Sequence, residues 1–292
     1  MRVLLAGLCT VDVVQRVADF PAPGEKVQSL AVDVAAGGPA TNAAVTVAAL
    51  GAEATLVTVL GAHPLAALAR ADLATCGVRV VDLVPALAAA PAVSAVAVRD
   101  HDGERTVVSR NAAAQADFPV PELDLAGVGA VLVDGHHPAL ALKAARAAKE
   151  LGVPVVLDAG SWKPVLDDLL PLVDVAACSA HFRAPGPGLH ERGVPVVITT
   201  AGPDPVRWSI REDTWEDIVE NTGAVAVPAV AARDTLGAGD VWHGALAFAV
   251  AGLGNDVAGW VRHANEVAAE RVRHVGPRSW TAAIRELGKG VR

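Results

Sequence analysis

The chain has 292 residues, of which 52% are hydrophobic and 19% are charged, and its formal net charge is −8. This composition can fill a sizeable core and excludes a chain that is disordered throughout. The negative charge argues against a nucleic-acid partner, because binding to nucleic acid relies on neutralising phosphates. Three scattered cysteines without a CxxC pair indicate a reducing compartment rather than a disulfide framework.

The chain shows no convincing targeting or membrane segment. Its first apolar run begins at Val3 and meets Asp12 too early for a secretory signal. The longest uncharged stretch, residues 34–52, is long enough to cross a bilayer, but Gly37, Gly38 and Pro39 make it a poor spanning helix. We therefore expect a cytoplasmic protein without a membrane partner.

Short apolar runs alternate with helical segments along the chain. The runs are apolar at both odd and even positions, as in strands buried on both faces of a parallel sheet; they begin at Val3, Ala54, Ala130, Val153 and Val194. Alanine-rich segments lie between them, and one of these predicts a helix that ends at Gly152. The alternation predicts an α/β fold with a doubly wound, mostly parallel sheet sandwiched by helices.

Two stretches interrupt this rhythm. The residues from Gly24 alternate polar and apolar, and those from Ala92 form two strand-like runs around Asp102-Gly103, a hairpin signal. We expect both to form a small β lid, about 12–36 and 92–111, inserted into a single domain that spans 1–292. A lid would keep water away from a reacting group in a cleft.

Two glycine clusters each precede an apolar helix. In the first, "GGPATNAAVTVAALG" from Gly37, Asn42 is a polar residue in the first turn, where it could cap the helix or bind a hydroxyl-rich ligand. In the second, "DTLGAGD" from Asp234, backbone N–H groups at a helix N-terminus would favour an anion. An ordinary capped helix after a tight turn is the alternative interpretation of this second cluster.

Together the two clusters resemble the ribokinase-like, or PfkB, family of carbohydrate kinases. The matching parts are "GGPATNAAVTVAALG" and "DTLGAGDVWHGALAFAVAGL", in this order, and "LLAGLCTVDVV" and the Asp-Gly-Glu-Arg-Thr hairpin extend the resemblance over nearly the whole chain. The resemblance implies ATP and Mg²⁺ as cofactors, a sugar as substrate, and dimers that form through the lid strands. A dehydrogenase is disfavoured because the turn after the first strand, "AGLCTVD", lacks GxGxxG.

The resemblance also implies the catalytic residues. Gly237, Ala238 and Gly239 would form a hole for the phosphoryl group in transfer, and Asp240 would be the base that takes the proton from the substrate hydroxyl. Because Asp240 lies at a helix N-terminus, we expect its pKa to be lowered.

On the acceptor side, the resemblance implies that a carboxylate, an amide and two glycines hold the sugar hydroxyls: Asp12, at the end of the first strand, Asn42, Gly37 and Gly38. Arg110 and Asn111 are candidates for the far end of the substrate. Arg110 could pair a phosphate or sulfonate there, and a solvated lid arginine is the alternative.

On the nucleotide side, Thr200 and Gly202 lie in a turn that loosely matches the family's pattern. Asn265 matches a position that often lies beside the adenine, with an exposed helix residue as the alternative. Lys163 could reach a phosphate from the loop that follows the strand from Val153.

The resemblance and the sequence also suggest two cation sites. Asp234 and Thr235 match positions that help to bind a monovalent cation such as K⁺, or they fix the shape of the loop. Many relatives carry an Asn-x-x-Glu motif for magnesium, and the corresponding region from Val173 lacks it. Asp158 is placed to supply a carboxylate to Mg²⁺ instead.

We therefore expect an ATP-dependent kinase that phosphorylates a hydroxyl of a small sugar or sugar derivative. A nucleoside kinase of the same fold is an alternative, although the two lid runs contain no aromatic residue to stack on a base. A catalytically silent sugar-binding regulatory module is another, motivated by the missing Asn-x-x-Glu and opposed by the intact "GAGD".

Overall fold

The computed structural model describes residues 1–110, 118–213 and 218–289. The strands, in chain order, are β1 (Arg2–Ala6), β2 (Thr10–Val17), β3 (Ala31–Gly37), β4 (Glu53–Thr58), β5 (Arg79–Asp82), β6 (Ala92–Arg99), β7 (Arg105–Arg110), β8 (Val128–Val133), β9 (Val155–Ala159), β10 (Val175–Ser179), β11 (Val196–Ala201), β12 (Asp204–Asp213) and β13 (Ile218–Val225). The α-helices are α1 (Pro39–Ala49), α2 (Pro64–Thr75), α3 (Pro138–Glu150), α4 (Leu166–Leu169), α5 (Ala238–Gly252), α6 (Val257–Val272) and α7 (Thr281–Ile284).

The main sheet has nine strands in the order β13-β12-β11-β10-β9-β8-β1-β4-β5. Its strands from β11 to β5 run parallel, and β12 and β13 add an antiparallel edge. The five apolar runs of the sequence all become strands of this sheet. The predicted doubly wound, mostly parallel sheet is therefore confirmed.

Both faces of the main sheet are covered by helices. In β1, Val3 and Leu5 join a core with α1, α5 and α6, whereas Leu4 and Ala6 join a second core with α3 and α4. All four side chains are buried, because neighbouring residues of a strand point to opposite faces. This explains why the runs are apolar at odd and even positions alike.

A second, four-stranded sheet has the order β3-β2-β6-β7, and β6 and β7 form the hairpin predicted around Asp102-Gly103. The predicted β structure outside the main sheet is confirmed, with two corrections. Residues 24–30 form no strand, because the pairing of β2 with β3 ends where Arg16 meets Ala31. Asp12 lies inside β2 rather than at the end of the first strand, which stops at Ala6.

Helices α1 and α5 pack unusually close to each other. A Cβ atom built on Gly244 in α5 would lie 2.6 Å from the carbonyl oxygen of Ala43 in α1 and 2.7 Å from its Cα. A side chain at position 244 would therefore separate the two helices.

Among the described residues, no helix is long and apolar enough to cross a bilayer.

We expect Gly244→Ala to lower the free energy of unfolding by about 1 to 3 kcal/mol, because an added methyl overpacks this contact. The measurement is urea denaturation. Gly259→Ala in α6 is the matched control, since there the added Cβ meets only the exposed side chain of Asp256. Because alanine favours helix over glycine, the control should be neutral or stabilising. Equal losses in the two variants would contradict the close-packing argument.

Candidate active site

The starts of α1 and α5 meet at one cavity. Asn42, in the first turn of α1, donates from Nδ2 to Oδ2 of Asp240, in the first turn of α5, at 2.8 Å. The cavity is lined by Asp12, Asn42 and Gly237 together with apolar side chains such as Trp280. The structure thus brings together residues that the sequence analysis assigned to the acceptor side and to the loop of residues 234–240, called the catalytic loop below for its expected role.

Gly37 and Gly38 make room for the groups around this cavity. A side chain on Gly37 would overlap the carboxylate of Asp12. Gly38 has φ +98°, and a Cβ there would lie 2.6 Å from the carbonyl oxygen of Leu8. Thr10 donates to the Asp12 carboxylate at 2.6 Å, and burial raises the pKa of Asp12. The first glycine cluster is therefore explained by close backbone approach.

The loop before α5 contains two backbone N–H groups that have no acceptor among the described residues, and one of them belongs to Gly237, which lines the cavity. Gly237 caps the helix in the left-handed region, with φ +70°. Of the three loop residues predicted to bind an anion, Ala238 donates its N–H to the carbonyl of Thr235 at 3.2 Å. In the described part of the chain, no hydrogen-bond acceptor contacts the N–H of Gly237 or Gly239. An anion can therefore be bound by these two groups.

The pKa of Asp240 is raised to about 6, which corrects the expectation that the helix N-terminus lowers it. Burial is the largest cause, and the negative charge of Asp158 adds to it. The hydrogen bond from Asn42 and the nearby His243 ring act in the opposite direction without overcoming burial. Asp240 is therefore a stronger base than an ordinary aspartate.

His243 connects α5 to the carboxyl ends of the strands. It lies one turn after Asp240 in α5, with Nδ1 2.8 Å from the carbonyl oxygen of Gly239 and 3.3 Å from Oδ2 of Asp158. Its Nε2 lies 3.2 Å from the carbonyl oxygen of Ala177. Sequence reasoning missed this residue, although its i+3 spacing from Asp240 places both on one helix face.

Asp158 is a suitable oxygen donor for magnesium. It is buried near the carboxyl end of β9, and burial raises its pKa, while the charges of His243 and Lys163 lower it. Within the described ranges, no group of three or more His, Cys, Asp or Glu side chains is placed to hold a metal ion. This is compatible with Mg²⁺, which is often held by one or two carboxylates and the substrate's phosphates.

The predicted nucleotide-side residues are spread over several elements. Thr200 lies in β11, and Gly202, with φ +62°, is exposed in the turn to β12. Asn265 is buried rather than exposed: its Oδ1 accepts from Trp242 Nε1 at 2.8 Å and its Nδ2 donates to the carbonyl of Ala226 at 3.2 Å. The first bond ties α6 to α5, and the second ties α6 to the segment that follows β13.

Of the two candidates for the far end of the substrate, only Arg110 lies among the described residues. Arg110 is exposed at the last position of β7. Asn111 lies outside the described residues.

The hairpin of the small sheet touches the loop before α5. Thr235 donates from Oγ1 to the carbonyl of Gly103 at 3.1 Å and accepts from Arg105 Nη1 at 3.0 Å. Asp234 is fully buried and accepts from Arg16 Nη2, in β2, at 3.0 Å. These contacts fix the small sheet against the catalytic loop.

Two further polar residues that sequence reasoning missed support the site. Arg278 pairs with Asp72 at 2.7 Å and donates to Oδ1 of Asn42 at 3.4 Å. Asp134 accepts from the N–H groups of Leu8 at 2.9 Å and Ala40 at 3.2 Å. Asp134 directly follows the apolar strand β8, a position that could have identified it; nothing near Arg278 in the sequence signals its role.

The doubly wound sheet, the small second sheet and the glycine loop that ends in Asp240 define a ribokinase-like α/β kinase. Residues 2–283 match the model of the pfkB family carbohydrate kinases, and the chain belongs to this family. It is therefore a carbohydrate kinase. The resemblance seen in the two glycine clusters is confirmed.

Solved structures agree over the full length. A protein from Agrobacterium tumefaciens named provisionally as a ribokinase is 28% identical, with a TM-score of 0.84 and coverage of 100% of this chain and 97% of that one. Ribokinase from Arabidopsis thaliana, solved with ribose and ATP, is 22% identical, with a TM-score of 0.73 and 98% coverage of both chains. An Escherichia coli protein named provisionally as ribokinase II, solved with ATP and Mg²⁺, is 18% identical, with a TM-score of 0.75 and coverage of 100% and 99%.

We expect Asp240→Asn to stabilise the protein at pH 8. The folded-state pKa is raised to about 6, so the stabilising contribution of the neutral carboxyl is complete at low pH and is lost as the pH rises through 6. Asparagine keeps the neutral form and should add about 1 to 3 kcal/mol at pH 8 and almost nothing at pH 4.

The measurement is the free energy of unfolding in urea at both pH values. Asp168→Asn is the control, because Asp168 is an exposed carboxylate and should show no such difference between pH 4 and pH 8. An Asp240→Asn variant that is no more stable than the wild type at pH 8 would contradict the raised pKa.

Proposed function

We propose that this carbohydrate kinase transfers the γ-phosphoryl group of ATP to a hydroxyl of a small sugar or sugar derivative. One observation carries the proposal. The carboxylate of Asp240 and the N–H groups of Gly237 and Gly239, which contact no described acceptor, lie at the start of one helix. Gly237 lines a cavity together with Asp12 and Asn42, and Asn42 donates to the Asp240 carboxylate.

Asp240 takes the proton of the attacking hydroxyl. Asn42 donates to Oδ2 of this carboxylate, and no described residue donates to Oδ1, which can accept from a substrate hydroxyl. A pKa of about 6 leaves Asp240 ionised at neutral pH and makes it more basic than a solvated aspartate. Burial, which raises the pKa of Asp240, and the hydrogen bond from Asn42, which orients its carboxylate, therefore both assist the removal of the proton from the hydroxyl.

The start of α5 stabilises the transferred phosphoryl group. The N–H groups of Gly237 and Gly239 lie at the N-terminal end of α5, where the helix dipole is positive. Charge on a phosphoryl group in flight spreads over its equatorial oxygens, so fixed donors lower the barrier. Because the donors are held by the left-handed turn at Gly237, they need no rearrangement during the reaction.

The polyphosphate of ATP is proposed to lie between the carboxyl ends of the strands and α5. When bound, Mg²⁺ neutralises charge on the phosphates, and Asp158 would hold it, directly or through water. Lys163 is close enough to influence Asp158 electrostatically and would reach a phosphate. Thr200 and Gly202 would border the nucleotide, and Asn265, whose amide is already hydrogen-bonded, would position its surroundings.

The small sheet is proposed to act as a lid over the sugar. Asp12 comes from β2, so the lid itself contributes a polar side chain to the cavity. Arg110 would face the far end of the substrate, and Asn111, outside the described residues, is proposed to bind there on the family resemblance alone. Valines of the small sheet remain exposed, namely Val32, Val34, Val107 and Val108. These exposed side chains support the proposed dimerisation through the lid.

The test is ATP turnover over a panel of ketoses, aldoses, sugar phosphates and nucleosides with Mg²⁺. We expect at least one sugar to be phosphorylated, and we expect Asp240→Asn to lower kcat on it by about 10² or more, the usual scale for a positioned base. Asp168→Asn, on the surface, should keep wild-type turnover. Near-normal turnover in Asp240→Asn would remove it from the mechanism, and activity confined to nucleosides would favour that substrate class.

The pH profile gives an independent test. Because the base must be ionised, kcat/KM should fall as the pH drops through about 6, the pKa of Asp240. Asn42 lowers this pKa by hydrogen bonding, so Asn42→Ala should move the acidic limb to higher pH. An acidic limb that stays in place in Asn42→Ala would contradict the assignment of that limb to Asp240.

A further inference from the structure

The guanidinium group of Arg271 lies in a shell of oxygen atoms beneath the catalytic loop. Arg271 is 1% exposed at the end of α6. Its Nη2 donates to the carbonyl oxygen of Leu236 at 2.7 Å, and its Nη1 donates to the carbonyl oxygen of His274 at 2.8 Å. Nη1 also faces the carbonyl oxygen of Asp234 at 3.5 Å. Three backbone carbonyls thus converge on one buried positive charge.

The carboxylate of Asp234 completes this shell. Its Oδ1 lies 3.6 Å from Arg271 Nη2 and accepts from the N–H of Leu236 at 3.0 Å. Its Oδ2 accepts from Arg16 Nη2 and from the N–H of Gly276, each at 3.0 Å. Each oxygen of Asp234 is therefore already bound to an N–H group of the chain itself.

This arrangement has the ligands of a monovalent cation site, namely carbonyl oxygens and a carboxylate, but a side chain of the protein occupies it. Arginine stays protonated inside proteins, and Trp280 packs against the guanidinium, with its ring centroid 5.9 Å away. A potassium ion bound to the carbonyls of Asp234 and Leu236 would have to displace this group. The residues present therefore do not fit a bound K⁺.

We propose that Arg271 replaces the monovalent cation expected beside Asp234 and Thr235, so that this kinase works without K⁺. Arg271 is a positioning residue, because it donates to the carbonyls of Asp234 and Leu236 and so fixes this part of the loop. Gly237, which follows Leu236 directly, presents its N–H group to the phosphoryl group in the proposed mechanism. The inference rests on the proposed kinase function for its turnover readout and is independent of it for its thermal readout.

The wild-type enzyme gives the first test. Turnover and Tm are measured at equal ionic strength with K⁺, Na⁺ or tetramethylammonium as the monovalent cation. We expect turnover to agree within about twofold and Tm to be unchanged. A stimulation by K⁺ of about fivefold or more, the lower end of usual effector couplings, would overturn the proposal.

The second test creates a dependence on K⁺. Arg271→Met removes the charge and leaves the carbonyls without a partner; we expect turnover to fall about tenfold or more, the scale of a lost positioning contact. Added K⁺ should raise both its Tm and its turnover, and tetramethylammonium, which is too large for the site, should not. Arg271→Lys keeps a cation in the shell and should remain insensitive to K⁺.

Arg273→Met is the matched control, because Arg273 lies two residues away and pairs with the partly exposed Glu270 at 3.1 Å. It should behave as the wild type in every salt. A folded Arg271→Met variant whose Tm and turnover respond to K⁺ no more than those of Arg273→Met would overturn the proposal. If Arg271→Met does not fold, the wild-type comparison decides, and if no substrate is turned over, the Tm responses decide.

Discussion

The hydrogen bond between Asn42 and Asp240 is the contact on which the site depends. It joins the first turns of two helices that lie about 200 positions apart in the chain, and it forms because Gly244 lets α5 approach Ala43 of α1. With the helices at this distance, both N-termini open on the same cavity. The proposed base, the proposed anion-binding N–H groups and the residues proposed to hold the acceptor are then placed by one packing constraint.

This placement concentrates charge. Asp158 lies close enough to Asp240 for its negative charge to raise the pKa of Asp240, and the charge of Asp12 acts in the same direction. Arginines from distant elements contact neighbouring residues: Arg278 donates to Asn42, and Arg16 pairs with Asp234 in the loop before α5. Burying ionised groups costs stability unless they are paired. The site therefore lowers the stability of the fold in exchange for a carboxylate that is basic at neutral pH, a common cost of a functional site.

The small sheet is coupled to the same loop. Gly103 and Arg105 of its hairpin contact Thr235, and Arg16 of β2 contacts Asp234. A movement of this sheet would therefore displace Asp234 and Thr235, which precede Gly237, or break their hydrogen bonds to it.

The sequence predicted the elements better than their surroundings. Alternating apolar runs identified the parallel strands because burial on both faces leaves a strong pattern, and the two glycine clusters located the helix starts because backbone approach requires glycine. The partners of those elements were not predictable in the same way. Arg271 and Arg278 reach the site through tertiary packing, and the pKa of Asp240 depends on burial and on Asp158, which no local pattern encodes.

In the proposed mechanism, Asp240 faces the acceptor hydroxyl and the N–H groups of Gly237 and Gly239 face the phosphoryl group. The decisive measurement is a crystal structure of the enzyme with its sugar substrate, ADP, Mg²⁺ and aluminium fluoride, which mimics the phosphoryl group in transfer. We expect the carboxylate to lie about 2.6 to 3.2 Å from the attacking hydroxyl, with the fluoride group against both N–H groups. A fluoride group bound elsewhere, or a hydroxyl that faces another residue, would contradict this mechanism.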